Sequence, residues 1–345
     1  MGSKKVRVAL IGSGRAGMIH ARNLHTVVAN ACVVAVCDPV EEAARAAAAE
    51  LELTSYYTDY HDVLSDPAID AVVIATPTKY HCEIAVAAAT AGKHILCEKP
   101  LAMTVEECNV MDAAAKKNGV ILQVAFMRRF DASFIAAKEM ILAGEIGDVV
   151  MVRSNTRGPS IPRPWMYDVK KSNGPLAEVC SHDIDTLRWF AESDFKTVYA
   201  IAGNYRCPDA KEEFPDFYDN VVMNAEFVNG CQGIIDGAQG VRYGYDARCE
   251  ILGTHGCIYL GNTRENSVTL CRNNMHQDRE YRNTWKDLFR DAYREEDCDF
   301  IRAICEERAP RVTAYDGKMA VLTVNAGNLS IREKRIVTIE GDNLR

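Results

Sequence analysis

Three short stretches hold residue types that do chemistry: Gly12-Ser13-Gly14-Arg15-Ala16-Gly17, Glu98-Lys99-Pro100, and the run from Glu178 through His182 to Asp185. The first is a G-x-G-x-x-G set between an apolar run, Val6–Ile11, and a helix-like segment, Met18–Leu24. In that setting each glycine has its own task. Gly12 permits a tight turn, Gly14 lets backbone approach a pyrophosphate, and Gly17 lets the helix pack on the strand. The helix N-terminus adds free N–H groups and a positive dipole end for phosphates. A second apolar run, Cys32–Cys37, ends at Asp38, 21 residues beyond Gly17. An acidic side chain there accepts both ribose hydroxyls and repels a 2′-phosphate. The pattern points to a dinucleotide, and to NAD over NADP.

Lys99 follows directly on another apolar run, His94–Cys97. A lysine at the carboxyl end of a parallel strand faces the nicotinamide region. Its ammonium can hold a substrate hydroxyl and stabilise developing alkoxide charge. Pro100 fixes the local backbone, and Lys99-Pro100 is a candidate for cis geometry. On one continuous helix over Pro175–Ala191, Glu178, His182 and Asp185 fall at i, i+4 and i+7, on one face. Val179, Leu187 and Phe190 lie opposite. Histidine takes a hydroxyl proton near neutral pH, and a neighbouring carboxylate orients the ring and supports the imidazolium. The set describes oxidation of a carbinol: hydride to a nicotinamide, proton to His182, oxygen held by Lys99, with Glu178 in support. No further His or Cys falls at ligand spacing, so no metal is expected. Neither a G-x-S-x-G elbow nor a P-loop appears.

Positioning these residues requires strands that alternate with helices. Candidate strands are Val6–Ile11, Cys32–Cys37, Ala71–Ala75, His94–Cys97 and Ile121–Val124. Candidate helices between them are Met18–Leu24, Val40–Leu51, Tyr60–Leu64, His81–Ala91 and Val105–Asn118. Such alternation predicts a doubly wound parallel sheet over residues 1–124. Ligands bind beyond the carboxyl ends of its strands, which gathers Gly12–Gly17, Asp38, Thr76-Pro77 and Glu98-Lys99. From residue 125 to 345 the pattern changes. A helix, Ala132–Ala143, precedes period-2 segments at Val149–Thr156, Thr197–Gly203, Asn220–Phe227, Gln232–Gly240, Arg248–Leu252, Cys257–Leu260 and Ser267–Cys271. Helices at Pro175–Ala191, Tyr293–Glu307 and Ala314–Arg332 complete a second, α+β domain with a mostly antiparallel sheet.

The 345 residues suit two domains of ordinary size. Net charge is −8, and no Lys/Arg stripe exists to meet nucleic acid. No apolar run reaches the roughly 18 residues of a membrane span. The N-terminus lacks the apolar core of a signal peptide, which points to the cytoplasm. Thirteen cysteines without C-x-x-C spacing read as reduced, buried thiols. Cys180, two residues from His182, is expected to expose the site to thiol reagents.

With these pieces the sequence resembles the Gfo/Idh/MocA oxidoreductases, in their inositol dehydrogenase branch, over nearly the whole chain. The matching runs are the glycine fingerprint, Ala75-Thr76-Pro77 with His81, Glu98-Lys99-Pro100, Phe126-Met127-Arg128-Arg129-Phe130-Asp131, Thr156-Arg157-Gly158-Pro159 and His182-Asp183-Ile184-Asp185. The resemblance implies a Rossmann domain followed by a domain with a large open sheet, often used to form tetramers. It implies oxidation of a secondary hydroxyl on a cyclitol or sugar. It implies cofactor contacts at Thr76, Pro77, His81 and Glu98, and substrate contacts at Arg128, Arg129, Arg157, Asp185 and Tyr245. Lys99 and His182 match the family's lysine and its D-x-x-x-H histidine. Glu178 stands where aspartate is usual, and Gly158 where aspartate or asparagine is more frequent. Oxidation of a pyranose, a non-catalytic NAD-binding sensor, and glycoside cleavage through transient oxidation are the alternatives the family offers.

Overall fold

The computed structural model describes residues 5–261, 270–272, 276–278 and 284–345. The chain divides into two compact units. One runs up to Asp131 and takes in Asp291–Val321; the other comprises Ala132–Arg290 and Leu322–Arg345.

In the first unit, strands β1 (Val6–Ile11), β2 (Ala31–Cys37), β3 (Tyr56–Tyr57), β4 (Ala71–Ile74), β5 (His94–Glu98) and β6 (Leu122–Ala125) form one sheet. Its order is β3-β2-β1-β4-β5-β6, and every pair is parallel. The five expected strands are present; β3, two residues long, is too short for a periodicity signal. Helices α1 (Gly17–Thr26), α2 (Glu41–Glu50), α3 (Tyr60–Ser65), α4 (His81–Thr90) and α5 (Val105–Asn118) connect them. The ends of α5 show why local sequence sufficed. Thr104 Oγ1 accepts from Glu107 N at 3.1 Å, and the Glu107 carboxylate accepts from Thr104 N, which closes a capping box. At the other end Gly119 takes φ +66°, a left-handed cap that favours glycine. Strand order reverses between β1 and β4, which sets a ligand crevice at their carboxyl ends.

Residues 291–321, which a linear division assigns to the second domain, complete this first unit. Phe300 and Ile301 pack in one core with Val6, Val8, Leu10, Val33, Val73 and Leu96. Contact between segments so far apart leaves no local pattern to read.

The second unit begins with α6 (Ala132–Leu142) and β7 (Val149–Gly158), followed by α7 (Val169–Ser172), α8 (Gly174–Glu178) and α9 (Ser181–Ala191). Strands β8 (Phe195–Gly203), β9 (Asn220–Phe227), β10 (Gln232–Gln239), β11 (Asp246–Gly253) and β12 (Cys257–Leu260) come next. A short hairpin pairs β13 (Leu270–Arg272) with β14 (His276–Asp278). Residues 267–269 of the expected strand Ser267–Cys271 lie outside the described residues. Helices α10 (Trp285–Leu288), α11 (Arg290–Cys305) and α12 (Ala314–Glu333) precede the closing strands β15 (Val337–Glu340) and β16 (Asn343–Leu344). The large sheet has the order β12-β11-β7-β10-β9-β8-β15-β16. Its pairs are antiparallel except β7 with β10, as a mostly antiparallel sheet requires. Along β8, Val198 and Ala200 are buried while Ile201 is 63% exposed, so one face is covered and the other is open. Among the described residues no helix is long and apolar enough to cross a membrane.

Candidate functional site

The glycine loop leaves β1 next to the reversal of strand order. Gly12 has φ +99°, and a Cβ there would lie 2.6 Å from the Ala75 carbonyl oxygen. A Cβ on Gly17 would lie 2.1 Å from the Gly12 carbonyl oxygen and 3.0 Å from Leu10 Cδ1. Only glycine lets α1 approach β1 so closely. A Cβ on Gly14 would meet nothing within 4 Å, and Gly14 and Arg15 form an exposed rim. The loop is therefore closed at Gly12 and Gly17 and bare at Gly14, with Ser13 and Ala16 completing it. The first turn of α1 carries no acidic residue. This cradle fits the pyrophosphate of a dinucleotide. Asp38, at the end of β2, is drawn against the same loop. Its Oδ2 accepts from Ser13 N at 3.0 Å and from Ser13 Oγ at 2.8 Å, and its Oδ1 accepts from Val40 N at 3.0 Å.

Thr76-Pro77 follows β4, and Lys99 follows β5 and is joined to Pro100 by a cis peptide bond. His81 braces these two loops. Its Nδ1 lies 2.9 Å from the Pro100 carbonyl oxygen and its Nε2 2.8 Å from that of Thr76. The ring is 1% exposed, and burial pushes its pKa down. His81 therefore lies buried between the Thr76 and Pro100 backbones, and its neutral ring donates to one of the two carbonyls.

The two arginines of the Arg128-Arg129 run have different fates. Arg128 is 1% exposed, the largest fully buried side chain among the described residues. Arg129 Nη2 donates to Asp316 Oδ1 at 3.0 Å, while Asp316 Oδ2 accepts from Thr313 N and Oγ1, each at 2.8 Å. Arg129 is thus committed to the start of α12 within the first unit, not held out for a substrate.

In the second unit the expected helix Pro175–Ala191 is two helices. Val179 and Cys180 both donate to the Pro175 carbonyl oxygen, at 2.9 and 3.1 Å, and α9 starts afresh with Ile184 N on the Cys180 carbonyl oxygen at 2.9 Å. The cause is tertiary. Cys180 seats against β10 at Gly237, where a Cβ would lie 2.1 Å from its Sγ. Glu178 therefore closes α8 and does not share a helical stripe with His182. His182 and Asp185 remain one turn apart on α9, 6% and 2% exposed. Between them Asp183, fully buried, accepts a short hydrogen bond from Ser154 Oγ of β7, which pins the first turn of α9 to the sheet. Cys180 is also fully buried, so the reagent-accessible thiol expected there is absent.

Arg157 lies elsewhere. Ser154 and Thr156 point to the covered side of β7, so Arg157, at odd register with Arg153 and Asn155, belongs to the other face. Its guanidinium grips Asp236 of β10, with Nε at 3.2 Å, and that bond raises its pKa. The sheet thus separates Arg157 from α9. Tyr245 is 8% exposed, with its ring 3.6 Å from where a Cβ on Gly158 would sit. Among the described residues no group of three or more His, Cys, Asp or Glu side chains is arranged to hold a metal ion.

Motif reading missed His20, Glu296 and Asp297, which form a buried ionisable group in the first unit. The one sequence signal was three acidic residues, Glu296, Asp297 and Asp299, in a helix that also carries Phe300 and Ile301.

Known proteins bear on this arrangement. Residues 6–126 match the family model described as the oxidoreductase family, NAD-binding Rossmann fold, of the Gfo/Idh/MocA group, and residues 134–259 match the Gfo/Idh/MocA C-terminal domain. The chain is 34% identical to myo-inositol 2-dehydrogenase of Thermotoga maritima, covering 97% of this chain and 99% of that protein. It is 37% identical to scyllo-inositol 2-dehydrogenase (NAD(+)) of Bacillus subtilis, covering 77% of each. Among solved structures, scyllo-inositol dehydrogenase from Lactobacillus casei with bound NAD(H) and scyllo-inositol superposes with a TM-score of 0.89 at 26% identity, covering 97% of this chain and 99% of that one.

Proposed function

The chain belongs to the Gfo/Idh/MocA oxidoreductase family and uses NAD, and from that premise we propose that it oxidises a secondary hydroxyl of a cyclitol of the myo- or scyllo-inositol type. The observation that carries the reading is Lys99 at the carboxyl end of β5, in the same sheet as the glycine cradle on β1. NAD, when bound, accepts the hydride of the carbinol carbon. Gly12–Gly17 receives its pyrophosphate, and Asp38 receives the adenosine ribose hydroxyls. Lys99 donates to the substrate oxygen and stabilises the negative charge that develops there. His182 takes the hydroxyl proton, and the carboxylate of Asp185, one turn further along α9, supports the imidazolium. Glu178 and Gly158, where the family pattern differs, favour a second reading: the same chemistry on a pyranose.

The test is reduced-nicotinamide absorbance with NAD or NADP against a panel of inositols, aldoses and glycosides. An inositol-specific signal with NAD is the expected result. A signal confined to glucose or a glucoside replaces cyclitol with sugar, and silence across the panel with NAD bound removes the dehydrogenase reading. In the same assay Asp38→Ala is expected to narrow the preference for NAD over NADP, because the acidic group that repels a 2′-phosphate is gone. An unchanged cofactor ratio contradicts the role given to Asp38.

A further inference from the structure

His20 lies on α1, the helix that begins at the glycine loop, and its ring is fully buried. Its Nε2 is 3.2 Å from Glu98 Oε1, and its Nδ1 is 2.6 Å from Asp297 Oδ1. Each carboxylate has a second tie. Glu98 Oε2 accepts from the Lys99 backbone N–H at 3.0 Å, and Asp297 Oδ2 accepts from Asn23 Nδ2 at 2.9 Å. The ring of Tyr293 meets the imidazole edge-on, with centroids 5.4 Å apart. Two carboxylates need two donors, and a neutral imidazole has only one. With both carboxylates ionised only the imidazolium satisfies both sides; burial pushes Asp297 above its usual carboxylate value, and the contacts with His20 and Asn23 work against that.

Resting on the dehydrogenase reading above, we propose that His20 is a positioning residue: as an imidazolium it binds Glu98 to Asp297, and through Glu98 it fixes the Lys99 backbone at the end of β5. The charges around it are consistent with this. Burial opposes a charge on His20, but the carboxylates of Asp297 and Glu98 outweigh it and hold the ring protonated well above the ordinary imidazole range. Burial likewise opposes the Glu98 carboxylate, and His20 and Lys99 outweigh it and hold Glu98 below its usual value. Glu296, also on α11, faces the same group, and burial pushes it well above the carboxylate range, so it is the neutral member; Asp299 on that helix pairs instead with Arg308 and Arg311. The clamp ties three elements: the helix of the glycine loop, the strand that leads into Lys99, and α11. An ammonium displaced by an ångström loses its aim at the substrate oxygen, and misplacement of that order costs about 100-fold in rate.

The experiment compares wild type, His20→Gln, Glu98→Gln and the double variant, with kcat, KM, NAD affinity and melting temperature measured for each. His20→Gln is expected to lower kcat about 100-fold with NAD still bound. In the double variant the loss is expected to match that of Glu98→Gln alone, because His20 acts through Glu98. An unchanged kcat in folded His20→Gln, or losses that multiply in the double variant, overturns the proposal and leaves His20 a structural residue. Should His20→Gln not fold, Asp297→Asn removes one side of the clamp and is expected to give a smaller loss of kcat in the same direction. Nitrogen-15 spectra of the wild-type imidazoles give a readout that needs no substrate. Both His20 nitrogens are expected to stay protonated where ordinary histidines titrate, near pH 6.5, and a ring that titrates there overturns the clamp. Wild type inactive on every polyol and sugar, with His20 doubly protonated, is a failure of the dehydrogenase reading and not of the clamp.

Discussion

Lys99→Ala is expected to lower kcat by about 1,000-fold, the scale on which a single donor to a developing oxyanion acts. Lys99 is half-buried directly after β5 and lies outside the glycine loop, so its loss is expected to leave the glycine cradle and Asp38 in place. NAD affinity, measured by titration calorimetry or by quenching of protein fluorescence, is therefore expected to stay near wild type. His182→Ala is expected to lose activity on a similar scale, because a general base contributes about 100- to 10,000-fold. His182 is buried in the first turn of α9, so its removal also lowers the melting temperature, and rates must be compared on the folded fraction. Near wild-type turnover by either variant would refute the assignment of oxygen-holding to Lys99 or of proton removal to His182.

The glycine loop yields the second large effect, through a contrast between two similar substitutions. Gly17→Ala places a Cβ 2.1 Å from the Gly12 carbonyl oxygen and 3.1 Å from Ala75 Cβ. The nearest of these is backbone, so α1 must move off β1 and the loop must open. Overpacking of this kind costs about 1–3 kcal/mol or more, and NAD affinity is expected to fall with stability. Gly14→Ala places its Cβ in open space. The fold is expected to keep its melting temperature while NAD affinity falls, because the methyl occupies the approach a pyrophosphate needs. Thermal melts and NAD titrations on both variants separate the two. Equal loss of stability in both would show that the loop lacks the division of labour given to its glycines.

The first unit was legible where its rules are local. The strand, glycine turn and helix around Gly12–Gly17 lie within about twenty residues, and Gly17 answers to the Gly12 backbone five positions away. Thr104 and Gly119 bound α5 by caps of the same short range. The Lys99 motif could be placed because a parallel strand of apolar residues has only one end at which ligands bind. The alternation in the second unit likewise identified its sheet, since one face of each strand had to be apolar.

Residues whose role depends on a distant neighbour were beyond such rules. Val179 and Cys180, where the break separates Glu178 from His182, are neither proline nor glycine, and Cys180 there packs closely on β10 at Gly237. Arg129 looked available for a substrate until Asp316, 187 positions later, claimed it. Arg157 needed the register of β7 to show that it faces Asp236 and not α9. His20 and Asp297 are 277 positions apart, and only folding makes them an ion pair. Local sequence determined the elements, the dinucleotide fingerprint and the types of side chain that can do the chemistry, because backbone sterics and hydrophobic period act over a few residues. Tertiary packing decided which charged groups are held and which are presented, because desolvation and pairing depend on what the rest of the chain brings alongside.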